Sequence, residues 1–73
     1  GPDDVSVSEF ALAGVAAVND DWVAFAYSPL GALHAYRPGA RLADGTVRTV
    51  QSTDVLLATD EGELRVVLPT IPR

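Results

Sequence analysis

The chain contains no cysteine. No disulfide can staple it, and a thiolate metal ligand or nucleophile is excluded. It has no lysine either: its five cationic residues, Arg37, Arg41, Arg48, Arg65 and Arg73, face ten Asp and Glu. The resulting net charge of −5 disfavours nucleic acid, whose phosphates need cationic side chains. It equally disfavours an anionic membrane surface. Long apolar runs are missing as well. The longest stretch free of charge, Trp22 to Tyr36, is interrupted by Ser28, Pro29, Gly31 and His34. It falls short of the about 20 apolar residues that a membrane-spanning helix needs, and it reads as two strands and a turn. There is no recognisable signal peptide.

What is present is a small, apolar-rich chain of 73 residues, 48% of them hydrophobic. That length suits one domain, and the composition argues for a folded core rather than disorder. A domain of this size buries only about 60% of the surface its unfolded chain exposes. Little room is left for a deep cleft between two lobes. Gly1-Pro2 is expected to be a scar of tag removal. The chain is then an excised fragment, with any membrane anchor outside it.

Turn-forming residues recur at short intervals: Asn19-Asp20-Asp21, Ser28-Pro29-Leu30-Gly31, Pro38-Gly39, Asp44-Gly45, Ser52-Thr53-Asp54 and Asp60-Glu61-Gly62. Each tolerates positive φ or bonds its own backbone. Between them lie short apolar or β-branched runs, the rhythm of a small antiparallel sandwich or barrel. Six strands are expected over residues 8–18, 22–27, 33–37, 46–50, 55–59 and 63–68. In the last, Leu64, Val66 and Leu68 share one face. The second is apolar on both faces and is expected to be central and covered on both sides. Pro69 and Pro72 end the sheet, because proline cannot donate to a ladder. The first segment is ambiguous. Its alanines and Leu12 favour helix, Gly14 costs a helix about 1 kcal/mol, and propensity alone leaves helix and strand open.

Catalytic patterns are weak. His34 is the only histidine, whereas a zinc site needs several convergent ligands and a nucleophile needs an adjacent base. It reads as a strand histidine. The carboxylates Asp3-Asp4, Asp20-Asp21 and Asp60-Glu61-Glu63 lack calcium-loop spacing and read as solvated turn residues. The glycines form no phosphate-cradling motif. What remains is surface: a small sheet has edges, and an exposed edge offers its backbone to a partner.

Three segments carry a resemblance. The first, Phe10-Ala11-Leu12-Ala13-Gly14-Val15-Ala16-Ala17, fits an opening pattern apolar-x-Gly-Val-apolar-Ala. The second, Trp22-Val23-Ala24-Phe25-Ala26-Tyr27, leads through Gly31 to Tyr36-Arg37-Pro38-Gly39-Ala40-Arg41-Leu42. It is similar to a strand followed by Tyr-Arg-Val-Gly-Asp-x-Leu, and departs from it at Pro38 and Ala40. The third runs from Thr46-Val47-Arg48-Thr49-Val50 through Asp54-Val55-Leu56-Leu57 to the hairpin Gly62-Glu63-Leu64-Arg65-Val66-Val67-Leu68. Together, from Phe10 to Leu68, they resemble the periplasmic homology-region domain of the inner-membrane protein C family of type II secretion systems. The pilus-assembly lipoprotein P family shares much of the pattern.

The resemblance implies an all-β fold, a small sandwich of two three-stranded antiparallel sheets, which makes the first segment a strand. It places the homology-region domain at residues 10–68, with a linker and the start of the first strand at 3–9 and a tail at 69–73. It implies a non-catalytic, cofactor-free periplasmic domain of an inner-membrane protein. Such a domain binds the N-terminal periplasmic domain of the outer-membrane secretin and works beside other inner-membrane components of the secretion system. The alternatives are a pilus lipoprotein domain, which also binds a secretin, or an accessory domain of a periplasmic hydrolase. In the family the first strand contributes to the secretin contact. Regular alternation would put Ala13, Val15 and Ala17 outward, opposite Leu12 and Ala16, with Val15 the leading contact residue and Arg41 at the rim. The expected core is Phe10, Leu12, Trp22, Phe25, Leu33, Leu42, Val47, Val55, Leu57, Leu64, Val66 and Leu68.

Overall fold

The computed structural model describes residues 5–69; the expected tag scar, Pro72 and most of the expected tail lie outside them. Six strands run β1 (Ala11–Val18), β2 (Asp21–Tyr27), β3 (Leu33–Tyr36), β4 (Thr46–Val50), β5 (Asp54–Thr59) and β6 (Gly62–Val67). They form two antiparallel three-stranded sheets, in the orders β1-β2-β3 and β4-β5-β6. The fold is therefore the all-β two-sheet sandwich, with a single 3-10 turn at Val7–Glu9 as its helical content among the described residues.

Each hairpin follows from its turn chemistry. β1 and β2 are joined by Asn19 and Asp20 alone, at φ +51° and +70°. Positive φ at both central positions is the two-residue turn whose twist matches that of the strands. The β2–β3 turn closes on Ser28. Its carbonyl accepts from the Gly31 N–H (2.9 Å) and its hydroxyl from the Ala32 N–H (3.1 Å). In the β5–β6 turn, Thr59 Oγ1 accepts from the Glu61 N–H at 3.1 Å.

The ladder registers decide which side chains meet. In the first sheet Leu12, Ala24, Ala26 and Tyr36 face inward and are buried. In the second, Val47, Val50, Val55 and Leu57 do the same. Phe10 meets Tyr36 edge to face, ring centroids 5.3 Å apart, a favoured aromatic arrangement. The 3-10 turn is tied to the β3–β4 connection, where Asp44 Oδ1 accepts from the Val7 N–H at 2.8 Å and Val5 O accepts from the Ala43 N–H at 2.8 Å. Gly45 completes that seam: a Cβ there would run into the Ala58 carbonyl oxygen and the Val7 side chain.

Several expectations are corrected. Ser8 and Glu9 belong to the 3-10 turn, not to the first strand. Residues 5–9 are not a linker, because Val5 and Val7 are part of the core. Trp22 and Leu64 lie on inward faces but remain 42% and 48% exposed. Leu33 and Phe25 point away from the core, since they share the face opposite Ala24 and Ala26; Leu33 is exposed and Phe25 half-buried. The central strand β2 is thus covered by the second sheet on one side only, because the sandwich has two layers.

Candidate interaction surface

β1 is an edge strand eight residues long, Ala-Leu-Ala-Gly-Val-Ala-Ala-Val, and no strand among the described residues pairs with its free side. It contains no charge and no proline. Edges usually carry such devices to block pairing with another chain. The other three edges have them. β3 is only four residues long, β4 bulges between Val47 and Thr49 around Arg48, and β6 carries Glu63 and Arg65. β1 carries one such device, a bulge between Leu12 and Gly14, and has neither charge, proline nor brevity.

That bulge repositions the residues singled out from the sequence. Leu12 pairs with Ala26 and Gly14 with Phe25, so Ala13 is the extra residue. Beyond it the alternation is reset. Val15 pairs with Ala24, which is fully buried, and Ala17 pairs with Trp22. Val15 and Ala17 therefore share the inward face with Leu12, and Ala16 points outward, the reverse of the expected assignment. Val15 is half-buried and packs on the core, so a polar side chain there would disturb the fold itself. Ala13 and Ala17 remain exposed. Arg41 is exposed, one residue past the Gly39–Ala40 corner, where it makes an isolated bridge to Thr46. Gly39, at φ +92°, donates its N–H to Val47 O at 2.7 Å and holds that corner. The structure thus brings Ala13, Val15 and Ala17 together on one strand and leaves Arg41 on a separate loop.

The outer faces of the two sheets differ in chemistry. On the second sheet, Asp54 Oδ2 accepts from Arg65 Nε (2.8 Å) and Nη2 (2.7 Å), and Arg48 Nε lies 3.1 Å from Glu63 Oε2 across β5. Its charges are paired along a solvated surface. The outer face of the first sheet carries Ala11, Gly14, Ala16, Val18, Val23, Phe25, Tyr27, Leu33 and Ala35, with Asp21 its one charged strand residue. Val23 is 2% exposed although it belongs to this face and not to the core cluster. Tyr27, Leu30 and Leu33, 50%, 71% and 54% exposed, crowd the β2–β3 end. Apolar exposure gathered on one face marks an interaction surface more often than scattered apolar residues do. Alternation in β2 and β3 would have shown this face from the sequence, but apolar residues on both sides of β2 read equally well as burial on both sides.

At the opposite end of β2, an open groove of about 440 Å³ is lined by Asp20, Asp21, Trp22, Arg37, Pro38 and Val50. His34 is not among its lining residues; it lies exposed on β3, its ring 6.4 Å from that of Tyr36. Among the described residues no three His, Asp or Glu side chains converge as metal ligands, and no helix is long and apolar enough to cross a membrane. Comparison with known protein families, with characterised proteins and with solved structures returns no match.

Proposed function

We propose that this chain is a non-catalytic interaction domain that receives its partner along β1. The uncharged, unpaired eight-residue edge of that strand is the observation that carries the reading. An exposed edge supplies backbone hydrogen bonds to an added strand, and small side chains let the other backbone approach. The apolar outer face beside it adds contact area. The partner we propose is the N-terminal periplasmic domain of an outer-membrane secretin. The chain would be the periplasmic homology-region domain of a type II secretion inner-membrane component, working with the other inner-membrane components. What supports this partner is the resemblance of residues 10–68 to that family, together with a two-sheet fold of the expected kind.

Calorimetric titration with purified secretin N-terminal domains tests it. Ala13→Lys places an edge-blocking charge on an exposed, bulged position. We expect at least about tenfold weaker binding, 1.4 kcal/mol, with the melting temperature nearly unchanged. Unaltered binding by a folded Ala13→Lys protein removes β1 from the interface. Absence of binding by the unmodified chain removes the secretin.

A further inference from the structure

We infer that the groove at Trp22 is a second binding site, one that takes a cationic side chain, arginine or lysine, from a partner polypeptide. The inference does not depend on the partner being a secretin.

Its floor is apolar and its rim is charged. Trp22 follows the inward parity of Ala24 and Ala26 but lies near the start of β2 and is 42% exposed. Val50 ends β4, and Pro38 follows β3. The groove is thus the open mouth between the two sheets. Burying Trp22 there would have been the ordinary use of so large an apolar side chain. Its charged lining residues are Asp20 from the β1–β2 turn, Asp21 at the start of β2, and Arg37 after β3. No ion pair or side-chain hydrogen bond within the described residues engages these three groups. The paired charges Asp54–Arg65 and Arg48–Glu63 on the second sheet show the contrast.

The chemistry of the lining selects the occupant. An indole face attracts a guanidinium or ammonium group through the ring quadrupole, and Trp does so best of the aromatic side chains. The aliphatic stem of such a residue can lie along Trp22 and Pro38 while its head reaches the Asp20 carboxylate, with the negative charge of Asp21 close by. Carboxylate contacts to a guanidinium are charge-assisted and directional. Two acidic groups against one basic group leave the groove net negative, on a chain of net charge −5, which draws a cation toward it. Arg37 opposes the cation and so limits its affinity.

Trp22 is the only tryptophan, so its fluorescence reports on this groove alone. The probes are three blocked tripeptides, acetyl-Gly-X-Gly-amide with X as arginine, leucine or glutamate, titrated at low ionic strength. The arginine peptide is expected to give a saturable emission change. The leucine and glutamate peptides should bind at least about tenfold more weakly. Raising the salt to about 0.15 M shortens the Debye length to about 8 Å and should weaken the arginine peptide. The double variant Asp20→Asn, Asp21→Asn should lose about tenfold, whereas Arg37→Gln should bind the arginine peptide more tightly. A melting curve for each variant confirms that it is folded. Equal binding of leucine and arginine, preferential binding of glutamate, weaker binding by Arg37→Gln, or no saturable change with the arginine peptide would each overturn the proposal. No secretin is present in this titration, so it succeeds or fails separately from the β1 interface.

Discussion

Leu57 and Leu64 are cross-strand partners on the same face of the second sheet, yet Leu57 has no exposure and Leu64 is 48% exposed. Truncating each to alanine removes the same atoms from the two environments. Fully burying a leucine side chain stabilises by about 1.5–3 kcal/mol. The cavity left by truncation adds to this, so buried Leu→Ala changes cost about 2–5 kcal/mol. Leu57 lies on the central strand, beside Val47 and opposite the first sheet, and should cost about 3–4 kcal/mol on that scale. At Leu64 only about half of the transfer term is lost, and the gap opens to water, so the cost falls to about 1 kcal/mol. At roughly 0.05–0.15 kcal/mol per residue, the whole domain holds only about 4–11 kcal/mol, so Leu57→Ala will leave a marginal fold. Urea unfolding followed by circular dichroism measures both, with the midpoints compared at unchanged slope. Equal losses for the two variants would refute the reasoning, because exposure would then not set the cost. A Leu64→Ala loss near 3 kcal/mol would mean that β6 is covered in solution.

Gly45→Ala should destabilise by about 1–3 kcal/mol, since its Cβ meets the Ala58 carbonyl and the Val7 side chain; a thermal melt within a degree of the parent would show that the seam relaxes without cost. Asp20→Gly should stabilise by about 0.5–1 kcal/mol, because φ +70° suits glycine better than aspartate. The same change should weaken the arginine peptide at the groove, and tighter peptide binding by this variant would count against the carboxylate's role there.

The strand rhythm was legible because the punctuation was local. Asn19-Asp20, Ser28-Pro29-Leu30-Gly31 and Asp60-Glu61-Gly62 each close a hairpin through their own backbone preferences, and the strands between them fall within a few residues of expectation. Helix or strand at residues 11–18 was not legible from propensity. Pairing with β2 over seven Cα partners settles it, and pairing is a non-local fact. Burial was harder still. Alternation assigns a face, but whether a face is covered depends on where the other sheet ends. Trp22 and Leu64 face inward and yet meet solvent, while Val5 and Val7, outside any strand, are core. The groove is not legible in the sequence: Asp20-Asp21-Trp22 and Arg37-Pro38 are fifteen residues apart, and only the sandwich brings them to one mouth.

The bulge at Ala13 is where a single residue decides a surface. In a regular strand every odd position of β1 would point one way, and Val15 would be presented to a partner. With one extra residue inserted, the inward set becomes Leu12, Val15 and Ala17, and the solvent side retains mostly alanine and glycine. Two deletions separate these descriptions. Deleting Ala13 removes the unpaired residue and leaves Leu12 opposite Ala26 and Val15 opposite Ala24, so every inward contact survives. Deleting Ala16 also shortens the strand by one. If the hairpin turn and Leu12 hold their register, however, Val15 moves outward and Gly14 takes its place opposite Ala24. Gly14 buries no side chain, so the second deletion forfeits the Val15 packing and should be the less stable by about 1–2 kcal/mol. Paired thermal melts of the two proteins measure the difference. Equal stabilities would mean that Val15 adds nothing to the core, and Val15 would return to the set of residues that a partner can read.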